Sequence, residues 1–284
     1  MTTLVETEPE TRVLTTVPFL RFDPGHGSRT VRWVAPVLTL VVVLGVWTLV
    51  STQLLSPTRQ FLLPSPWEVL EAGFLEQAGR TEIFTALWST TKVALVGLLL
   101  AMAIGVFFAI VMSQARWAEA SFYPYAVILQ TIPILAMVPL LGFWFGYEFT
   151  SRLVVCVLHS LFPIITNTMF GIASVDDNLH DQFSLFRASR WQRLIHLQLP
   201  AALPAALAGF RISAGMAVVG SIIADFFFRQ GQPGIGRLID TYRQSLDTDL
   251  MMAALAASSL VGIALFLLFG AVLRAVETHR SPRR

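Results

Sequence analysis

The side chains able to do chemistry are few, and most sit inside apolar stretches. His159 has no histidine or carboxylate three or four residues away, and no His-Glu-x-x-His run occurs, so a catalytic metal site is not expected. Cys156 is the only cysteine, which excludes an intrachain disulfide or a cysteine-based zinc cluster and leaves it a packing role. Lys92, the only lysine, follows no glycine-rich loop, so the chain lacks a Walker A motif and cannot handle ATP itself. No convergent nucleophile–base set can be assembled, which argues against an intramembrane enzyme. What remains is a scatter of polar groups: Gln130, His159, Asn167, Arg211, Ser213, Ser221 and Asp225. Each either bridges helices or lines a path for a solute. Arg211 is the costliest, because a charge inside a bilayer must face protein or water. Along a helix it lies about 21 Å from Asp225, too far to pair, so it needs carbonyls, water or another chain.

The elements that carry these groups follow from composition. With 284 residues, 55% hydrophobic and 13% charged, the chain is too apolar for an ordinary soluble domain, and a bilayer is the expected solvent. The net charge of +2 is spread between apolar stretches and forms no basic face, so nucleic acid is not an expected partner. Glu6, Glu8 and Glu10 stand where a signal peptide would be basic, so residues 1–32 are expected to be a flexible tail. The fold class is all-α, a polytopic membrane protein. Six spans of about 20 apolar residues are predicted, near 33–54, 84–112, 121–146, 151–175, 201–228 and 250–275. They form one domain over 33–276, with a tail at 277–284. Lys92 is expected to snorkel to the interface. Pro133, Pro139 and Pro163 should bend the third and fourth spans. In the fifth, Ala205, Gly209, Ser213, Ala217, Ser221 and Asp225 recur at spacing four, a pattern that permits close helix contact.

Six spans place both termini on one side. With the termini inside, the inner segments hold Arg12, Arg21, Arg29, Arg32, Arg116, Arg187, Arg190, Arg193, Arg274, Arg280, Arg283 and Arg284. The outer ones hold Arg59, Arg80, Arg152, Arg229, Arg237 and Arg243, so the positive-inside bias puts the termini in the cytoplasm. Outside, Ser65, Pro66 and Glu68 form a capping-box signature for a helix carrying Val69, Leu70 and Phe74 along the membrane surface. Inside, residues 176–200 should form two short helices. Asp176, Asp177 and Asn178 cap the first, Ser189-Arg190-Trp191-Gln192 caps the second, and they meet near Arg187 to Ser189. Phe183, Phe186 and Trp191 interleaved with Arg187, Arg190 and Arg193 form an exposed aromatic surface that needs a partner protein or the bilayer surface to cover it.

The run Arg187 to Arg193, followed by Leu197-Gln198-Leu199-Pro200-Ala201-Ala202-Leu203-Pro204, resembles the EAA loop of ABC importer permeases. Aligned on Leu199-Pro200, Asp181, Gln182 and Phe183 stand for Glu-Ala-Ala, and Arg187 stands for the family's glycine. The likeness continues through Gly209, Arg211 and Gly215, with Asp225 where many relatives have glutamate. Gly234-Ile235-Gly236 is similar to the family's Gly-Leu-Gly, and Leu63-Pro64-Ser65-Pro66 to its first outer loop. It is most similar to the branch that imports nitrate, sulfonate, taurine, thiamine-pyrimidine precursor and riboflavin.

The resemblance implies a type I ABC importer permease fold in a bacterial inner membrane, with membrane lipid around it. It also implies a second permease chain, two ATPase subunits that bind the ATP and magnesium, and an extracytoplasmic solute-binding protein. Asp181, Phe183, Phe186, Arg187, Ser189, Trp191, Leu199 and Pro200 would dock the ATPase. The alternative from residues alone is an ion-coupled secondary transporter, which requires intramembrane acids and inverted repeats.

Overall fold

A computed structural model describes residues 29–228 and 232–280. Most of the expected N-terminal tail, with Arg12 and Arg21, lies outside the described residues, as do Arg229, Arg283 and Arg284. The described part is helical, with no strand among the described residues. α1 (Arg29–Leu49) forms a unit by itself. Its threonines return their hydroxyls to the helix, Thr39 to Ala35 O at 2.9 Å and Thr48 to Leu44 O at 2.8 Å. In lipid, that internal satisfaction is what a spanning segment requires.

The second unit holds the remaining helices. α2 (Pro66–Leu70) runs through a π-helical stretch, Glu71–Leu75, toward α3 (Gln77–Gln114). Ser65 and Glu68 close the expected capping box. This segment does not simply float on the surface. Val69, Ala72 and Gly73 are buried, and a Cβ on Gly73 would strike Ala253.

The single span expected at 121–146 is two helices, α4 (Arg116–Thr131) and α5 (Ile134–Phe145), meeting at 103°. The cause is Pro133, which offers no N–H and forces Ile132 into extended backbone (φ −67°, ψ 127°). Pro139 and Pro163, by contrast, ride inside the continuous α5 and α6 (Phe149–Ala173). α7 (Asp177–Leu185) and α8 (Arg190–Arg193) precede a π-helical stretch, Leu194–Gln198, that feeds α9 (Leu199–Phe227). α10 (Ile235–Ser245) and α11 (Thr248–Arg280) complete the chain, α11 continuing into the segment expected to be a tail. Five helices are long and apolar enough to cross a membrane, or six if α4 and α5 form one broken span.

α6 and α9 form the centre, with α3 and α11 packed beside them. The seam is built from small residues. A Cβ on Gly209 would lie 2.7 Å from Pro163 O, so the backbones of α9 and α6 meet where only glycine fits, and one on Gly105 of α3 would lie 2.6 Å from Cγ2 of the Ile164 side chain on α6. Val93, Ala94, Leu98, Cys156, Ala214 and Ala217 fill the space between α3, α6 and α9.

Candidate functional sites

The inner loop is shaped by local chemistry. Asp176 caps α7 by accepting from Asn178 N at 2.9 Å. At the other end Ala188 N donates to Phe183 O and Arg187 N to Ser184 O, each at 3.0 Å, the paired bonds of a Schellman turn. Such a turn needs a left-handed residue, and Arg187 supplies it at φ 53°. Arg187, which stands where the pattern it resembles has glycine, adopts this conformation itself, at a cost of roughly 1–2 kcal/mol for an L-residue there. Ser189 and Gln192 then close a capping box at 2.8 and 3.3 Å. Arg193 donates to Ser184 Oγ at 3.0 Å and ties the two short helices together.

This scaffold turns apolar side chains outward. Phe186 is 85% exposed and Trp191 70%, while Phe183 is half-buried. Leu185, which is not among the expected docking residues, is 84% exposed and completes the patch. Asp181 and Ser189 are exposed as well. Leu199 is half-buried and Pro200 exposed, both in the first turn of α9.

At the opposite end of α9, Asp225 is the hub of a buried polar cluster. It forms an ion pair with Arg152 of α6, and the two side chains are 0% and 5% exposed. Its Oδ2 accepts from Thr90 of α3 and from Gly236 N at 3.4 Å. Thr90 Oγ1 in turn accepts from Ile235 N at 2.8 Å, and Arg152 donates to Gln232 O at 3.2 Å. Four helices thus meet at one carboxylate, which also faces the positive end of the α10 dipole. A Cβ on Gly234 would run into that carboxylate and one on Gly236 into Ile222 O, which explains both glycines around Ile235. Arg152 is expected from its position in the sequence to be an outer, membrane-orienting charge. The structure corrects this, because it is buried and paired. Farther along α10, Tyr242 donates to Glu82 Oε2 of α3 at 2.8 Å. Burial, then the Glu82 carboxylate, pushes the Tyr242 phenol above its ordinary value.

The other polar candidates are dispersed. Ser213 donates to Ser160 O at 2.7 Å and Ser221 to Val218 O at 2.8 Å, both fully buried along α9. Asn167 donates to Pro163 O at 2.8 Å, and His159 packs against Gly220, so these two also stand in the α6–α9 seam. Gln130 is exposed near the end of α4. Arg211 turns to α11, where its guanidinium lies 3.9 Å from the centre of the Phe266 ring.

The binding-protein-dependent transport system inner membrane component family matches residues 101–284. The chain is 34% identical over 246 residues to a probable ABC transporter permease protein of Haemophilus influenzae, spanning 84% of this chain and 94% of that one. It is 33% identical over 266 residues to a riboflavin transport system permease protein of Chloroflexus aurantiacus, spanning 90% and 94%. A taurine transport system permease protein of Escherichia coli is 30% identical over 269 residues, spanning 90% and 94%. Among solved structures, the inward-facing MetNI methionine ABC transporter aligns with TM-score 0.55 at 16% identity, covering 78% of this chain and 99% of that one.

Proposed function

The chain belongs to the binding-protein-dependent transport system inner membrane component family and is a permease subunit of an ABC-type importer; from that premise we propose how it is coupled and assembled. Residues 176–200 dock a separate ATPase subunit, which binds the ATP and magnesium. Two permease chains and two ATPases receive a small solute from an extracytoplasmic binding protein. The observation that carries this reading is the patch of Leu185, Phe186 and Trp191, held outward on a doubly capped scaffold beside Arg187 and Arg190. Aromatic and arginine side chains so displayed are the groups that dominate protein interfaces.

The loop is also joined directly to the long axis of the protein. Arg190 to Phe227 is one helical run of 38 residues, without an intervening coil. A displacement of the docking patch therefore travels along α9 to the Asp225 cluster. Closing of the ATPases would draw two such loops together and tilt the spans between outward- and inward-opening states. The ion-coupled alternative requires an acid free to take up a cation, whereas Asp225 is engaged by Arg152, Thr90 and Gly236.

The test is to purify Phe186→Ala, Trp191→Ala and the double variant with the ATPase, quantify its retention, and measure uptake in vesicles. Truncating a buried interface aromatic commonly costs about 2 kcal/mol, roughly thirtyfold in affinity. Retention should fall and hydrolysis should uncouple from uptake while the permease stays folded. Full retention and normal uptake in the double variant would sink the reading.

A further inference from the structure

The break between α4 and α5 leaves backbone polar groups without partners. Pro133 has no N–H, and the hydrogen bonds at the junction run from Ile132 N to Ile128 O at 3.0 Å and from Ala136 N to Pro133 O at 2.9 Å. Neither uses the carbonyls of Leu129, Gln130, Thr131 and Ile132, which accept no backbone hydrogen bond among the described residues. The Thr131 hydroxyl donates to Ile128 O at 2.9 Å, an acceptor already in use, and so leaves these carbonyls open. Pro133 also gives α5 no side-chain cap. Gln130, Thr131 and Pro133 are exposed, and Ile132 is half-buried.

The break lies at mid-membrane depth. On its α4 side, Leu129 lines a cavity together with Leu161 and Ile165 of α6. On its α5 side, Ile134 packs against a cluster of Val138, Val155 and Ala224, which Leu158 of α6 also joins. The break is thereby level with Leu158 to Leu161, halfway along α6, which is itself a candidate span.

Hydrocarbon offers no donor to an open carbonyl, so non-helical backbone at that depth is tolerated only where protein buries it or water reaches it. Burial within the chain is excluded by the exposure of Gln130 and Thr131. A covering second copy would have to bring donors, whereas the outward faces of α3 and α11 carry Leu99, Phe107, Leu260, Ile263 and Leu267. Water is the remaining partner. The side chains agree: Ser213, Ser221, Asn167 and Asp225 bond within the chain, while Gln130 is exposed and makes no hydrogen bond among the described residues. Broken helices whose unwound carbonyls face a midplane cavity are a recurring way for a transporter to offer polar contacts inside a bilayer.

We propose that the α4–α5 break lines the water-filled translocation path at mid-membrane, where its open carbonyls and the Gln130 amide offer hydrogen bonds to a polar solute. The proposal rests on the permease reading and adds where the path runs and which groups it presents.

The experiment is cysteine accessibility in the purified full-length permease with its ATPase, held in lipid nanodiscs so that reagent reaches both membrane faces. The probe is trimethylammonium-ethyl methanethiosulfonate, which reacts with a thiolate and hence with a thiol in water. Wild type should not react, since its one thiol, Cys156, is buried. Gln130→Cys and Thr131→Cys should react at least tenfold faster than Leu260→Cys, an exposed position near the middle of α11. Rates no faster than that of Leu260→Cys would overturn the proposal. Reaction with small neutral methyl methanethiosulfonate but not with the charged probe would overturn it too, because it marks a crevice closed to a polar solute. A disulfide joining two Gln130→Cys chains, with no labelling, would assign the break to contact between copies and equally overturn it. Should Gln130→Cys fail to fold, the rate at Thr131→Cys decides. ATPase retention in the same samples judges the permease reading separately, so retained ATPase with an unlabelled break overturns this proposal alone.

Discussion

At the scale of single residues, the Arg152–Asp225 pair is where the largest energies are concentrated. Two charges taken out of water gain little net stability together, but removing one leaves the other buried and uncompensated. Arg152→Leu or Asp225→Leu alone should destabilise the permease by about 3–5 kcal/mol, and the double leucine variant should recover most of that. Denaturant unfolding in detergent, read as a double-mutant cycle, checks the expectation; additive losses would show that the charges act independently. Only half of this pair was legible. Asp225 stood out as an acid in an apolar span, whereas Arg152 opens its span beside polar Glu148, Thr150 and Ser151 and looked like an interfacial charge. Nothing in local spacing brings two distant helices to one carboxylate. Arg187 shows the converse. The turn was readable because its caps are local, and the left-handed backbone at the arginine follows from a hydrogen-bond pattern that the neighbouring residues impose.

At the scale of elements, caps and small-residue rows transferred from sequence to structure because each is set by a few neighbouring side chains. Ser65, Asp176 and Ser189 all cap where their spacing placed them. The break of α4–α5 did not transfer in full. A proline at Pro133 predicts a bend, but 103° depends on which packing the two halves find. The α6–α9 seam makes a sharper forecast. Gly209→Val puts branched carbon where Pro163 O and the Asn167 side chain already stand, and overpacking of that kind costs about 1–3 kcal/mol. Thermal unfolding should report that loss, and an unchanged midpoint would mean that the seam opens without cost. α10 gives a pH-dependent counterpart. The folded Tyr242 phenol holds its proton above the ordinary value near 10, so above about pH 10 the unfolded chain releases a proton that the fold retains. Stability is full below that pH and falls as pH rises through it. Tyr242→Phe should flatten this alkaline loss in unfolding scans between pH 8 and 11; an equally steep loss in the variant would remove Tyr242 from the account.

At the scale of the whole molecule, orientation depends on how charge is divided across the bilayer, and the structure changes that count. Arg152 leaves the outer list because it is buried against Asp225, so the arginine excess on the side of Arg116, Arg187, Arg190, Arg193 and Arg274 grows. The loop at Arg190 and the α10–α11 turn at Leu246 are separated by one span, α9, so they lie on opposite faces whether or not α4 and α5 together cross the membrane. The inner position of 176–200 is thus testable without settling the total number of spans. The native thiol does not interfere, since Cys156 is fully buried, with Sγ 3.3 Å from Ala217 O. Wild type should take up no membrane-impermeant maleimide before or after permeabilisation, which makes it the background for two single replacements. Leu246→Cys, at a position 62% exposed, should label in sealed cells. Arg190→Cys should label only once the membrane is opened. Labelling of position 190 in sealed cells would invert the topology, place the aromatic patch away from any ATP-binding partner, and remove the physical basis for coupling through residues 176–200.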